Sequence, residues 1–169
     1  MACTLYLVRH GVAAPAGPNT GDADRALTEE GTRKTVRVAH GLRALNVKPV
    51  AILSSPLRRA HETAELMASI LAPKIPVELY PPLAFGHEPR DVVQGLRTHR
   101  GAEQLMLVGH QPGIGELTSF LLTGSSNLVH VSFKKAATAA VTVPSLPPRS
   151  AGVLEWFLTP AQLRLLGQS

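Results

Sequence analysis

The sequence predicts an α/β fold: a three-layer sandwich in which a mostly parallel sheet is covered by helices on both faces, with one antiparallel strand. Three observations carry this expectation. Short apolar runs alternate with segments whose apolar residues fall three and four apart, the pattern of strands joined by crossover helices. The early runs are short and end at a breaker, as buried strands do. The last two runs are joined by a Pro-rich turn, a hairpin-like pair that adds the antiparallel strand. A chain of 169 residues fits one domain, residues 1–169, and leaves little room for a second with its own core.

The elements follow in order. Thr4 to Arg9, reading TLYLVR, is the first strand and meets a breaker at Gly11, and Ala13 to Asp24, rich in Pro, Gly and Asn, is a loop. Thr28 caps a helix that carries Glu29 and Glu30 in its first turn, where the dipole favours acids, and Val36, Ala39, Leu42 and Leu45 at helical spacing. That helix ends near Asn46. Val50 to Leu53 is the second strand, after which Ser55 and Pro56 supply the N-cap and N1 proline of a helix with Leu57, Ala60, Ala64, Met67 and Leu71 as its buried stripe. Pro73, Pro76, Pro81 and Pro82 break the next segment, which has room for a short strand around Val77 to Leu79. A modest helix is expected from Asp91 to His99. Gln104 to Val108 is a third apolar run, halted by Gly109 and followed by Pro112 and a helix from Ile114 to Leu122. Ala139 to Val143 and Val153 to Leu158 are strands joined by the turn Pro144 to Pro148, and a short helix from Pro160 to Leu166 closes the chain. No internal repeat is present.

Composition narrows the function. With 44% hydrophobic and 17% charged residues the chain reads as folded rather than disordered. No apolar run approaches the roughly 20 residues of a membrane span. Arg9 and His10 arrive before any signal-peptide core forms, so secretion is not indicated and cytoplasm is the default. The single cysteine, Cys3, excludes an internal disulfide and a cysteine-rich metal site, and reads as a small buried hydrophobe. The 17 Lys and Arg against 12 Asp and Glu leave +5, which favours anionic partners. The seven aromatic residues do not alternate with arginines, so nucleic-acid binding gains no support.

Ligands of such sheets sit beyond the carboxyl ends of the strands. Arg9, His10 and Gly11 follow the first strand; Ser54, Ser55, Pro56, Arg58 and Arg59 the second; Gly109, His110 and Gln111 the third. Three strand ends therefore deliver two histidines and at least two arginines to one edge. Arginine presents a rigid fork of donors suited to phosphate oxygens, and uncharged imidazole can attack phosphorus. Arg58 and Arg59 also fall in the first turn of a helix, where cations are disfavoured unless an anion binds.

These residues carry a resemblance. LYLVRHG (residues 5–11), LSSPLRRAHETA (residues 53–64) and LVGHQP (residues 107–112) resemble, in order and spacing, the three motifs of the histidine phosphatase superfamily, the phosphoglycerate mutase-like enzymes. The segment DADRALTEEG, residues 22–31, and the short chain are similar to the compact SixA-type phosphohistidine phosphatases. The resemblance implies a phosphoglycerate mutase-like fold, His10 as nucleophile, Arg9 and Arg59 as clamps on the phosphoryl oxygens, His110 as a donor to the phosphoryl group, and Arg25 as a further phosphate ligand. Arg58 falls on a variable position. No metal or other cofactor is implied, since phosphoryl transfer runs mainly on positioning and donors aimed at the equatorial oxygens. The expected partner is a phosphorylated protein or a small phosphorylated substrate.

The sequence departs from that family in two places. Where larger members carry a Leu-x-Glu acid, Leu83 and Ala84 are followed by Phe85, so Glu88 and Asp22 are the nearby carboxylates that could donate a proton; Glu62 stands where a glutamine is common. An alkoxide leaving group gains roughly 10²- to 10⁴-fold from an acid, whereas imidazole, far less basic, needs less help. The expectation is therefore hydrolysis of phosphohistidine on a signalling protein through a phosphorylated His10. The alternatives are a phosphatase of small phosphomonoesters or sugar phosphates, and a non-catalytic phosphate-binding module. His40, His61, His99 and His130 read as structural or exposed, His87 as a minor candidate near Glu88, and Lys134 and Lys135 as a solvated pair.

Overall fold

The computed structural model describes residues 1–168. Its elements are β1 (Cys3–Arg9), α1 (Glu29–Ala44), β2 (Ala51–Ser54), α2 (Arg58–Leu71), β3 (Val77–Leu79), α3 (Pro89–Gly95), β4 (Gln104–Gly109), α4 (Gly113–Thr123), β5 (Thr138–Val143), β6 (Val153–Leu158) and α5 (Pro160–Leu166), with short 3-10 turns at Asp22–Asp24, Pro81–Leu83 and Leu96–His99. The strands form one sheet in the order β3-β2-β4-β1-β5-β6. β1, β2, β3 and β4 run parallel, and β5 pairs antiparallel with both β1 and β6, which makes it the one reversed strand among the described residues.

Successive side chains of a strand point to opposite faces, and here both faces are apolar because both are covered. Leu5, Leu7, Leu53, Leu105 and Leu107 pack under α3 and α4, against Val92, Ile114 and Leu117. Tyr6, Val8, Ile52, Met106 and Val108 face the opposite layer, where α1, α2 and α5 supply Val38, Ala64, Met67 and Leu163. Cys3 belongs to the first cluster, and burial pushes its thiol up to about 11. Helix α1 crosses α5 at Gly41, where a Cβ would overlap the Leu163 carbonyl, so the two backbones approach as closely as they do only because that residue is glycine. Among the described residues no helix is long and apolar enough to cross a membrane.

Three expectations shift. Ser55 and Pro56 do not begin α2: they form a turn ahead of Leu57, and the helix starts at Arg58, because the Ser55 hydroxyl is engaged by the Leu57 amide and by a histidine ring described below. Helix α3 starts at Pro89 rather than Asp91, since the Asp91 carboxylate accepts from the Glu88 amide at 3.0 Å, and the chain tightens to a 3-10 turn over Leu96–His99. Helix α1 stops at Ala44, and Asn46 turns the chain at φ 61.

Register is what positions the site. Arg9 lies opposite Gly109 and Ser54 opposite Val108, so β1, β4 and β2 end nearly flush. The next residues, His10, His110 and Ser55, therefore leave the sheet side by side. The His10 amide still donates to the Gly109 carbonyl at 3.0 Å and the Ser55 amide to Val108 at 3.0 Å, which carries sheet rigidity one residue into the loops.

Candidate active site

His10 is 6% exposed, and each of its ring nitrogens has one partner. Nδ1 lies 2.7 Å from the Gly11 carbonyl. A carbonyl only accepts, so Nδ1 carries the proton and Nε2 keeps its lone pair. Into that lone pair points Nε of Arg59, at 3.3 Å. Burial, and then the charges of Arg59, Arg9 and Lys135, push the ring down to about 4 despite the opposing bond to Gly11, so it is uncharged at neutral pH.

Arg59 is 3% exposed and holds its fork by three bonds: Nε to His10, Nη1 to the Asp22 carbonyl at 2.7 Å, and Nη2 to Asp22 Oδ2 at 3.1 Å. One helical turn on, Thr63 accepts from the Gly11 amide at 3.0 Å and donates to the Arg59 carbonyl at 2.7 Å, so one hydroxyl ties the loop after β1 to the first turn of α2. Glu62 does related work on the other side: Oε2 takes the Leu27 amide at 2.7 Å and Oε1 takes Nε of the exposed Arg58 at 2.7 Å.

His110 is 2% exposed, with its ring centroid 5.2 Å from that of His10. Its Nε2 lies 2.7 Å from Ser55 Oγ. That hydroxyl also accepts from the Leu57 amide at 3.3 Å, and among the described residues Nε2 is the one acceptor within reach of its own proton, so we assign that proton to the bond with Nε2 and the ring proton to Nδ1. His110 Nδ1 is buried without a hydrogen-bond partner, and so is Arg9 Nε. Burial first, then the neighbouring His10 and Arg59, push His110 down to about 3. Arg9 spends Nη1 on the Phe133 carbonyl at 2.7 Å. The edge thus holds two uncharged imidazoles between two guanidiniums, with two orphaned N–H donors, an arrangement matched to a tetrahedral oxyanion.

The remaining expected residues lie further out. Arg25 donates from Nε to the Ala14 carbonyl at 2.7 Å and from Nη1 to Asp22 Oδ1 at 3.0 Å, so it reaches Arg59 through Asp22. Asp22 is the hub between the two arginines; their hydrogen bonds hold its carboxyl below the usual carboxylate range, and at neutral pH it has no proton to give. Glu88 precedes α3 and lines, with His110 and His87, a small cavity of about 20 Å3. Phe85, which the sequence marked only as a departure, stacks on His110 at 4.6 Å between ring centroids, with the Arg59 guanidinium 5.9 Å from its ring, and stays 52% exposed at the mouth of the site. Thr63 and the histidine-bound role of Ser55 were also not anticipated. Thr63 follows Arg59 by four residues, a spacing visible in the sequence, but its partner Gly11 is 52 residues away.

Comparison with known proteins sets this geometry in context. The model of the histidine phosphatase superfamily (branch 1) matches residues 5–84. The phosphohistidine phosphatase SixA of Escherichia coli (strain K12) is 27% identical over 163 residues, covering 95% of this chain and 96% of that protein. An uncharacterized protein of Picosynechococcus sp. is 37% identical over 139 residues, covering 78% and 80%. A solved structure of the protein histidine phosphatase SixA complexed with tungstate superposes with a TM-score of 0.83 at 26% identity, covering 95% of this chain and 99% of that one.

Proposed function

The chain belongs to the histidine phosphatase superfamily, and from that premise we propose that it hydrolyses phosphohistidine on a signalling protein, with His10 as the nucleophile. The observation that carries the reading is the His10 ring itself: uncharged, its Nδ1–H held by the Gly11 carbonyl, its Nε2 lone pair turned toward Arg59 and into the space beside His110.

The reaction has two steps. The Nε2 lone pair attacks phosphorus, the P–N bond to the substrate imidazole breaks, and that ring departs with the electron pair and is protonated from water. Water then attacks the phosphoryl group on His10, the P–N electron pair returns to Nε2, the proton released by that water neutralises the hydroxide left by the first step, and orthophosphate leaves. Arg9, Arg59 and His110 Nδ1–H serve as donors to the phosphoryl oxygens, whose charge spreads in the transition state. Arg25 contributes through Asp22. Asp22 serves as the anchor of Arg59 rather than as a proton donor, which leaves Glu88 as the carboxylate available for a more basic leaving group. The lack of an acid at Phe85 suits an imidazole leaving group, and the similarity to the phosphohistidine phosphatase SixA supports this substrate.

The test is a histidine-phosphorylated phosphotransfer domain incubated with the protein and with His10→Ala. Turnover by the wild type only, with a phosphoenzyme trapped at alkaline pH, is expected; equal dephosphorylation by both would end the proposal. Higher kcat/KM on phosphomonoesters than on the phosphoprotein would assign the site to small esters instead.

A further inference from the structure

Beside the site lies a second cavity, of about 260 Å3, to which the function above assigns nothing. Lys34 and Thr35 of α1, Lys134 and Lys135 before β5, and Arg164 of α5 line it, and no carboxylate does. Lys34 pairs with Glu30 at 2.7 Å; among the described residues Lys134, Lys135 and Arg164 have no ion-pair partner. The Thr35 hydroxyl is fully buried and has no hydrogen-bond partner. Glu30 offsets Lys34 and also lies within electrostatic reach of Arg164, so the excess positive charge rests mainly on Lys134 and Lys135, which are exposed and project their field into solvent.

The cavity adjoins the active site through the backbone, although none of Arg9, His10, Arg59 and His110 lines it. Gly11, directly after His10, forms part of its wall, and Ala136, next to Lys135, donates its amide to the Arg9 and His10 carbonyls at 3.0 and 3.1 Å. Inorganic phosphate or phosphoramidate has no atoms beyond its phosphoryl group and amine with which to reach the lysines. Only a substrate that continues well past its phosphoryl group can occupy both places at once.

We propose that this basic cavity docks carboxylate side chains of the phosphoprotein substrate, so that the partner presents an acidic surface next to its phosphohistidine. The inference rests on the reading of the substrate as protein-borne phosphohistidine and adds the chemistry of the surface around it. Docking of this kind raises the association rate and lowers KM without entering the chemical step.

The experiment compares the wild type with a Lys134→Glu, Arg164→Glu double variant on two substrates, an acidic histidine-phosphorylated phosphotransfer domain and phosphoramidate. The expected result is a rise in KM for the phosphoprotein of about tenfold or more with kcat within about twofold, steep loss of wild-type kcat/KM with added salt, and phosphoramidate turnover unchanged within about threefold. Lys134→Arg with Arg164→Lys should restore the wild-type values. Unchanged kcat/KM on the phosphoprotein would overturn the proposal, and so would an equal fall on both substrates, because the charges would then be acting on the catalytic centre. A wild type that turns over phosphoramidate but not the phosphoprotein would refute the substrate reading, and the docking surface with it, before any variant is made.

Discussion

Ser55 Oγ lies 2.7 Å from His110 Nε2, and the proton it gives that nitrogen decides that His110 offers Nδ1–H to a phosphoryl oxygen. Ser55→Ala removes the bond while leaving the ring packed against Phe85. The ring can then take either tautomer. We expect kcat to fall about tenfold, less than the roughly 10²- to 10³-fold of deleting a donor outright as in His110→Ala, with KM nearly unchanged. Steady-state kinetics on the phosphorylated phosphotransfer domain would decide it; wild-type kcat in Ser55→Ala would show that the tautomer is held by something else.

The pH profile should differ from that of an ordinary imidazole. An unperturbed histidine would be almost fully protonated at pH 5, whereas a nucleophile with its pKa near 4 is mostly free there. The acid limb of kcat/KM is therefore expected close to pH 4. A limb centred near 6.5 would mean that His10 is not held uncharged by its surroundings.

Stability should follow the same groups. Their folded-state values lie below the unfolded 6.5, so the folded chain binds fewer protons, and stability present above pH 6.5 is lost as pH falls through about 4 for His10 and about 3 for His110. For His10 the loss by pH 4 is on the order of 3 kcal/mol. Urea unfolding from pH 7 to 4 should show this decline, and His10→Asn should make it shallower; parallel slopes would contradict the assignment.

Inorganic phosphate or vanadate should stabilise the fold through Arg59. At about 100 times its Kd, such a ligand adds about 2.7 kcal/mol to unfolding and raises Tm by several degrees. Arg59→Ala should abolish that rise. If the variant gains as much Tm from the anion as the wild type does, the oxyanion is bound elsewhere.

Away from the site, Gly41→Ala should destabilise by about 1–3 kcal/mol, because the new methyl group meets the Leu163 carbonyl and α5 must shift off α1. Chemical denaturation should show the loss, with kcat unchanged at temperatures where the variant is folded. Wild-type stability would mean that α5 moves away at little cost.

The amino-acid sequence alone determined the layers, the strands and the edge at which chemistry gathers. Both faces of β1 and β4 had to be covered because Leu5 to Val8 and Leu105 to Val108 are apolar at every position, and breakers at Gly11 and Gly109 ended those strands where His10 and His110 begin. Such features are local, since periodicity and turn chemistry act within a few residues. What the tertiary structure alone decided is which group each polar atom meets. Ser55 reads as a helix cap until β2 and β4 are in register and His110 takes its hydroxyl; Asp22 reads as a carboxylate that could donate a proton until Arg25 and Arg59 close on it; the role of Thr63 emerges only when Gly11 arrives from 52 residues away. The protonation of His10 belongs to the same class, because a pKa depends on burial and on charges brought together only when the chain is folded.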